Sequence, residues 1–166
     1  MFKVNFKKIL LNSIIILVIF MIDRVSKIYI LNVAELENTV DVYVTSYLNL
    51  YLIWNKGIAF GLFSINESLM YNLLTCIIAL ITFIILVMAI WAKKLKKYPL
   101  IIVFSGSTGN LFDRVYYSAV PDFIDFHIND FHWFIFNVAD IFITFGIVCL
   151  IIVEIFFNNE KNEKTI

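Results

Sequence analysis

The chain is predicted to fold as a membrane all-α bundle, four transmembrane helices with a small extracytoplasmic β-sheet element, and three observations predict it. Of its 166 residues, 61% are hydrophobic and only 16% charged, a balance outside that of soluble domains. Apolar runs long enough to cross a bilayer recur along the chain. The lysines fall in clusters between those runs: Lys3, Lys7 and Lys8, then Lys93, Lys94, Lys96 and Lys97, then Lys161 and Lys164. At this length the spans leave room for one bundle and one modest extramembrane element, so residues 1–166 are read as a single domain.

The first span covers about residues 9–31. Its basic start and the apolar stretch Ile9–Ile22 resemble a secretory signal, but no small-residue cleavage site follows and the helical pattern continues through Asp23-Arg24-Val25-Ser26-Lys27. It is therefore an uncleaved span with a polar insert. Residues 32–67 carry Glu35, Glu37, Asp41 and Glu67 against Lys56 alone. Within them, 40–44 and 47–54 show period-two, β-branched and aromatic character, which predicts a small sheet in an outward element of about 36–66. Asn55-Lys56-Gly57 marks a turn. The second span covers about 68–92.

The third, about 99–116, is ~27 Å long at 1.5 Å per residue. Its second half, Ser105-Gly106-Ser107-Thr108-Gly109-Asn110, is small and polar, which suits a central helix in close contact with its neighbours. A loop of about 117–131 leads to the fourth span, about 132–157. The lysine asymmetry puts both ends and the Lys93–Lys97 loop in the cytoplasm and the other two connections outside. Cys76 and Cys149 sit in apolar stretches without ligand spacing and are read as packing residues.

Chemistry concentrates between Ser105 and Asp140. An acidic side chain at the centre of a bilayer costs at least ~2.5 kcal/mol, so intramembrane acids mark polar cavities and ion, proton or catalytic work. Asn110, Asp113 and Arg114 share a face of the third span, and Asn137, Asp140 and Thr144 share one of the fourth. On a helix starting near His132, Asp140 lies ~12 Å from the outer end. Val120-Pro121-Asp122-Phe123-Ile124-Asp125 supplies a loop carboxylate able to fold back over it. Two carboxylates sharing a proton provide a general base and a general acid for water attack on a peptide carbonyl. The plainer alternative is an Asp113–Arg114 ion pair holding the bundle together, and a single arginine neutralises only one of the acids.

Other chemistries are poorly served. His127 and His132 stand in a loop at a spacing that matches no zinc-protease motif, so no metal and no cofactor are expected. Ser105 and Ser107 lack a neighbouring base, and Ser26 and Lys27, adjacent on a helix, point apart. No phosphate loop or basic aromatic stripe suggests nucleic acid. The acids alone leave open a non-enzymatic proton or cation pathway, or a scaffold; a pathway would spread acids through the membrane thickness.

Five blocks resemble, in order, those of bacterial lipoprotein signal peptidase, also called signal peptidase II. They are Asp23-Arg24-Val25-Ser26-Lys27, Asn55-Lys56-Gly57-Ile58-Ala59-Phe60-Gly61, Gly109-Asn110-Leu111-Phe112-Asp113-Arg114, Val120-Pro121-Asp122-Phe123-Ile124-Asp125 and Phe136-Asn137-Val138-Ala139-Asp140. The resemblance spans nearly the whole chain. It implies an intramembrane aspartyl endopeptidase of the bacterial cytoplasmic membrane that cleaves diacylglyceryl-modified prolipoproteins just before the lipidated cysteine, near the outer leaflet and among membrane lipids. It further implies a catalytic pair at Asp122 and Asp140. Asn110, Asp113, Arg114 and Asn137 match supporting and substrate-binding positions, as do Asn55 and Gly57 in the outer turn, and Asp23 and Lys27 match a structural motif. Pro121 departs from the aliphatic residue of many relatives without touching the pair.

Overall fold

A computed structural model describes residues 6–37, 40–57, 68–129 and 131–157. The expectations for Lys3, Lys161, Lys164, Glu67, the stretch 58–66 of the outward element and the Ile58–Gly61 part of the second block fall outside those residues. The described elements are α1 (Phe6–Glu37), β1 (Asp41–Thr45), β2 (Leu48–Asn55), α2 (Ser68–Trp91), a short 3-10 turn (Lys94–Lys96), α3 (Lys97–Tyr117), β3 (Val120–Ile128), β4 (Phe131–Phe136) and α4 (Val138–Phe157).

α1, α2 and α4 are long and apolar enough to cross a membrane. Their side chains mostly face outward: only 11% of the most apolar window of α2 is buried within the protein. A helix apolar all round that still faces outward is matched to hydrocarbon rather than water. α1 runs six residues past the predicted end, to Glu37, because Asn32-Val33-Ala34-Glu35-Leu36-Glu37 holds good helix formers and no Gly or Pro to stop it.

α3 sits at the centre, packed on α1, α2 and α4, as its small residues predict. A Cβ on Gly106 would stand 2.6 Å from the Ala139 carbonyl of α4, and one on Gly109 2.7 Å from an Asp23 carboxylate oxygen of α1. Only hydrogen fits at these two crossings. Pro99 occupies the first turn of α3, where its missing N–H has no helical acceptor to serve.

Two expectations are corrected. The segment 117–131 is not a loop: β3 and β4 join β1 and β2 in one antiparallel sheet of order β1-β2-β3-β4. The fourth helix begins at Val138, not near His132, because Phe131-His132-Trp133-Phe134-Ile135-Phe136 is a strand. Apolar apart from His132, that stretch has no periodicity to separate strand from helix, but its aromatic residues and Ile135 favour the pleat. The β3–β4 hairpin turns at Asn129, whose φ of 52° is a left-handed conformation asparagine tolerates. The sheet closes on the helices through Ile30, Val40 and Phe123. Cys149 is half-buried and Cys76 exposed on α2, so only the former packs as expected.

Candidate active site

Asp122 is on β3, opposite Ile53 of β2, and Asp140 is the third residue of α4. The shorter helix therefore moves Asp140 from the predicted ~12 Å to the first turn, ~4 Å from the helix start. Both carboxylates line one cavity of about 280 Å³ together with Asn55, Asn110, Arg114 and Asn137. Thr144 lines it one turn below Asp140, on the predicted helix face.

Asn137 joins the two acids. Its side-chain Nδ2 donates to Asp122 Oδ1 at 2.6 Å, its Oδ1 accepts the Asp140 N–H at 3.1 Å, and its own N–H donates to Asp140 Oδ2 at 3.2 Å. The last two bonds form a reciprocal cap on the first turn of α4, which satisfies N–H groups the helix cannot. The remaining carboxylate oxygens are also held: Asn55 Nδ2 donates to Asp122 Oδ2 at 2.8 Å, and Asn110 Nδ2 to Asp140 Oδ1 at 2.8 Å. Asn55 is oriented by the Gly57 N–H on its Oδ1 at 2.8 Å, the turn predicted for Asn55-Lys56-Gly57. Burial foremost, then the charge of Asp140, pushes the Asp122 carboxyl up to about 6 against the opposing pull of Asn55, Asn137 and Lys27.

Asp113 and Arg114 do not pair with each other. They are neighbours on the helix and diverge: Arg114 donates to the Gly57 carbonyl, while Asp113 enters a buried ionic quartet with Asp23, Arg24 and Lys27. Lys27 Nζ lies 2.9 Å from Asp23 and 2.6 Å from Asp113, and Arg24 lies 2.8 Å from Asp23 and 2.5 Å from Asp113. Two cations balance two acids, so the expectation of a lone neutralising arginine is wrong. Arg24 and Lys27 serve Asp23 and Asp113, and neither makes an ion pair with Asp122 or Asp140. The part played by Arg24 escapes a sequence reading because its partner Asp113 lies 89 residues away; a cation inside a span beside an acid was the available signal. Arg24 also stacks 4.9 Å over the Phe112 ring.

The quartet buttresses the cavity from behind. Asp23 Oδ1 accepts the Ala139 N–H at the start of α4 at 3.0 Å. Lys27 donates to Asn110 Oδ1 at 3.0 Å, which turns the amide of Asn110 toward Asp140. Asp125, His127 and His132 stand apart from the cavity on the hairpin, in paired strands rather than a loop.

The model for the family described as signal peptidase (SPase) II matches residues 15–157. The lipoprotein signal peptidase of Pelagibacter ubique (strain HTCC1062) is 56% identical over 163 residues, 98% of each chain. That of Anaplasma phagocytophilum (strain HZ) is 36% identical over 94% of this chain and 99% of its own. Among solved structures, a bacterial membrane enzyme determined by the in meso method at 2.3 Å superposes with a TM-score of 0.72 at 25% identity, covering 93% of both chains.

Proposed function

The chain belongs to the signal peptidase II family, a family of membrane proteases acting on lipoprotein precursors, and on that premise we propose that it is an aspartyl endopeptidase that cleaves diacylglyceryl-prolipoproteins just before the lipidated cysteine, with Asp122 and Asp140 as the catalytic pair. The observation that carries this reading is the convergence of two carboxylates, neither ion-paired among the described residues, on one cavity under a shared asparagine. One carboxylate takes a proton from water, the water oxygen bonds to the scissile carbonyl carbon, and the other carboxyl gives its proton to the carbonyl oxygen. Collapse of the tetrahedral intermediate breaks the C–N bond as a proton passes to the departing amine.

Asn55, Asn110 and Asn137 hold the pair in register. Arg114 Nη1 is buried without a hydrogen-bond partner among the described residues and is the donor for a substrate backbone carbonyl near Gly57. Asp23, Lys27 and Asp113 are structural. An apolar cavity of about 400 Å³ lined by Phe134, Phe136, Ile141 and Phe145 adjoins Asp140, which suits acyl chains attached beside the cleavage point. The aromatic outer segment acts as a lid over the peptide.

α3 is the fourth span in this reading. Its low hydropathy reflects inward residues, Ser105, Gly106, Gly109, Asp113 and Arg114, all buried, while Phe112, Val115 and Tyr116 face outward. Both termini are then cytoplasmic and the site lies at the outer leaflet. A proton or cation pathway fits less well, because Asp23, Asp113, Asp122 and Asp140 form one hydrogen-bonded cluster instead of a chain across the bilayer. Cleavage of a diacylated prolipoprotein peptide by the wild type, and its loss in Asp140→Asn, is the test; full turnover by the variant overturns the mechanism.

A further inference from the structure

The β3–β4 hairpin carries a group that the proposed reaction does not use. Asp125 and His127, two apart on β3, share a face of the strand. A bulge between Phe126 and His127 on the β4 side shifts the register so that His127 pairs with His132. A regular ladder continuing from Phe126↔Phe134 would set Trp133 there. Bulges re-aim side chains in this way, and here the result is one carboxylate and two imidazoles whose ligating atoms all lie within 4.8 Å of one another.

His132 Nδ1 is 2.7 Å from Asp125 Oδ2, and His127 Nδ1 is 3.8 Å from the same oxygen. Two ligand atoms on one tetrahedral ion with bonds of ~2.0–2.1 Å stand about 3.3–3.4 Å apart, so these separations bracket that geometry. A simple His132–Asp125 hydrogen bond leaves much unused. Asp125 Oδ1 and His127 Nδ1 are both buried and make no hydrogen bond among the described residues. Such groups ordinarily have a partner. Asp125 is 2% and His127 9% exposed, and the His132 side chain is 55% exposed, which leaves an opening for an ion and a water ligand.

We infer that Asp125, His127 and His132 form a binding site for a divalent transition-metal ion of the zinc type. Two imidazoles and one carboxylate suit such ions, whereas magnesium and calcium prefer shells of oxygen. The site is not part of the proposed chemistry, because Asp122 and Asp125, three apart on an unbroken strand, point to opposite faces. Its role is to clasp the hairpin that carries Asp122 on one strand and leads into Asn137 from the other.

The test titrates tag-free protein in detergent micelles with Co²⁺, read by its visible absorption band, followed by Zn²⁺ competition and thermal unfolding with and without Zn²⁺. The expected result is one ion per chain, displaced by Zn²⁺, with Zn²⁺ raising the unfolding temperature. Asp125→Asn and His132→Ala should each weaken binding by more than about tenfold and abolish the rise. His132→Ala also takes from the buried Asp125 its 2.7 Å partner, so the Zn²⁺-induced rise of each variant is read against its own metal-free unfolding temperature. Absence of a Co²⁺ band at millimolar ion, or an affinity unchanged in both variants, overturns the site and leaves a plain His132–Asp125 hydrogen bond.

Discussion

Replacing Asp122 by Asn separates what this carboxyl does for stability from what it does for chemistry. The folded protein raises the group from 3.8 to about 6, so it holds the proton more tightly than the unfolded chain does. The stability this supplies is fully present below pH 3.8 and is lost as pH rises through about 6. At ~1.4 kcal/mol per tenfold, the loss across that window is about 3 kcal/mol. An amide at 122 removes the titration but must turn its NH₂ toward one of two donors, Asn55 Nδ2 or Asn137 Nδ2. That conflict costs about 1–3 kcal/mol at every pH.

The variant should therefore be less stable than the wild type near pH 4 and equal or more stable near pH 7. Its unfolding temperature relative to the wild type should climb by about 6–12 °C between the two, at roughly 2–4 °C per kcal/mol for a chain of this size. Thermal unfolding in micelles, followed by tryptophan fluorescence across the pH series, measures the difference. Turnover of Asp122→Asn should meanwhile fall by at least about 10²–10⁴ at every pH. A constant gap between the two proteins from pH 4 to 7 would refute the account of a buried, charge-coupled carboxyl.

If Asp122 and Asp140 act as the proposed pair, Asp122→Asn combined with Asp140→Asn should be scarcely slower than either alone in the peptide-cleavage assay, because members of one catalytic unit are strongly non-additive; Asp125→Asn, on the opposite face of the strand, should keep most of the activity. Lys27→Met should destabilise by about 3–5 kcal/mol, since it leaves two buried acids to one cation, and denaturant titration in micelles reads this directly. Asn137→Ala should lose about 1 kcal/mol from the α4 cap and more activity than stability, seen as a large drop in kcat beside a fall of only about 2–4 °C in unfolding temperature. Reporter fusions after Lys97 and after Ile53 should fall on opposite sides of the membrane; the same side for both would exclude the four-span topology.

The long apolar periods of α1, α2 and α3 and the alternation of β1 and β2 were legible because each is a local pattern. The stretch from His132 to Phe136 reads as the start of the fourth helix, since a short, mostly apolar stretch looks alike in either conformation and its partner strand β3 lies across a bulge. That error displaced Asp140 from the first turn of α4, although its neighbourhood with Asp122, Asn110 and Asn137 came from the motif blocks. The quartet was half visible. Asp23 and Lys27 stood out as a polar insert, but the alternative pairing of Asp113 with Arg114 used sequence proximity where the fold uses two helices. Hairpin register, which turns His127 and His132 into partners, depends on an extra residue no pattern announces.

The quartet also bears on how the polypeptide enters the bilayer during synthesis. α1 emerges first with Asp23, Arg24 and Lys27, an insert of one acid and two bases that Asp113 neutralises only when α3 arrives. Until then α1 carries one more base than acid, a charge costly inside hydrocarbon that pairing with Asp113 relieves. The N–H of Ala139, the acceptor end of Asp23 and the amide of Asn110 then meet when α4 docks. A nascent chain halted before α4 would thus hold the whole ionic quartet but lack Asp140, so the proposed catalytic pair is assembled only when α4 docks.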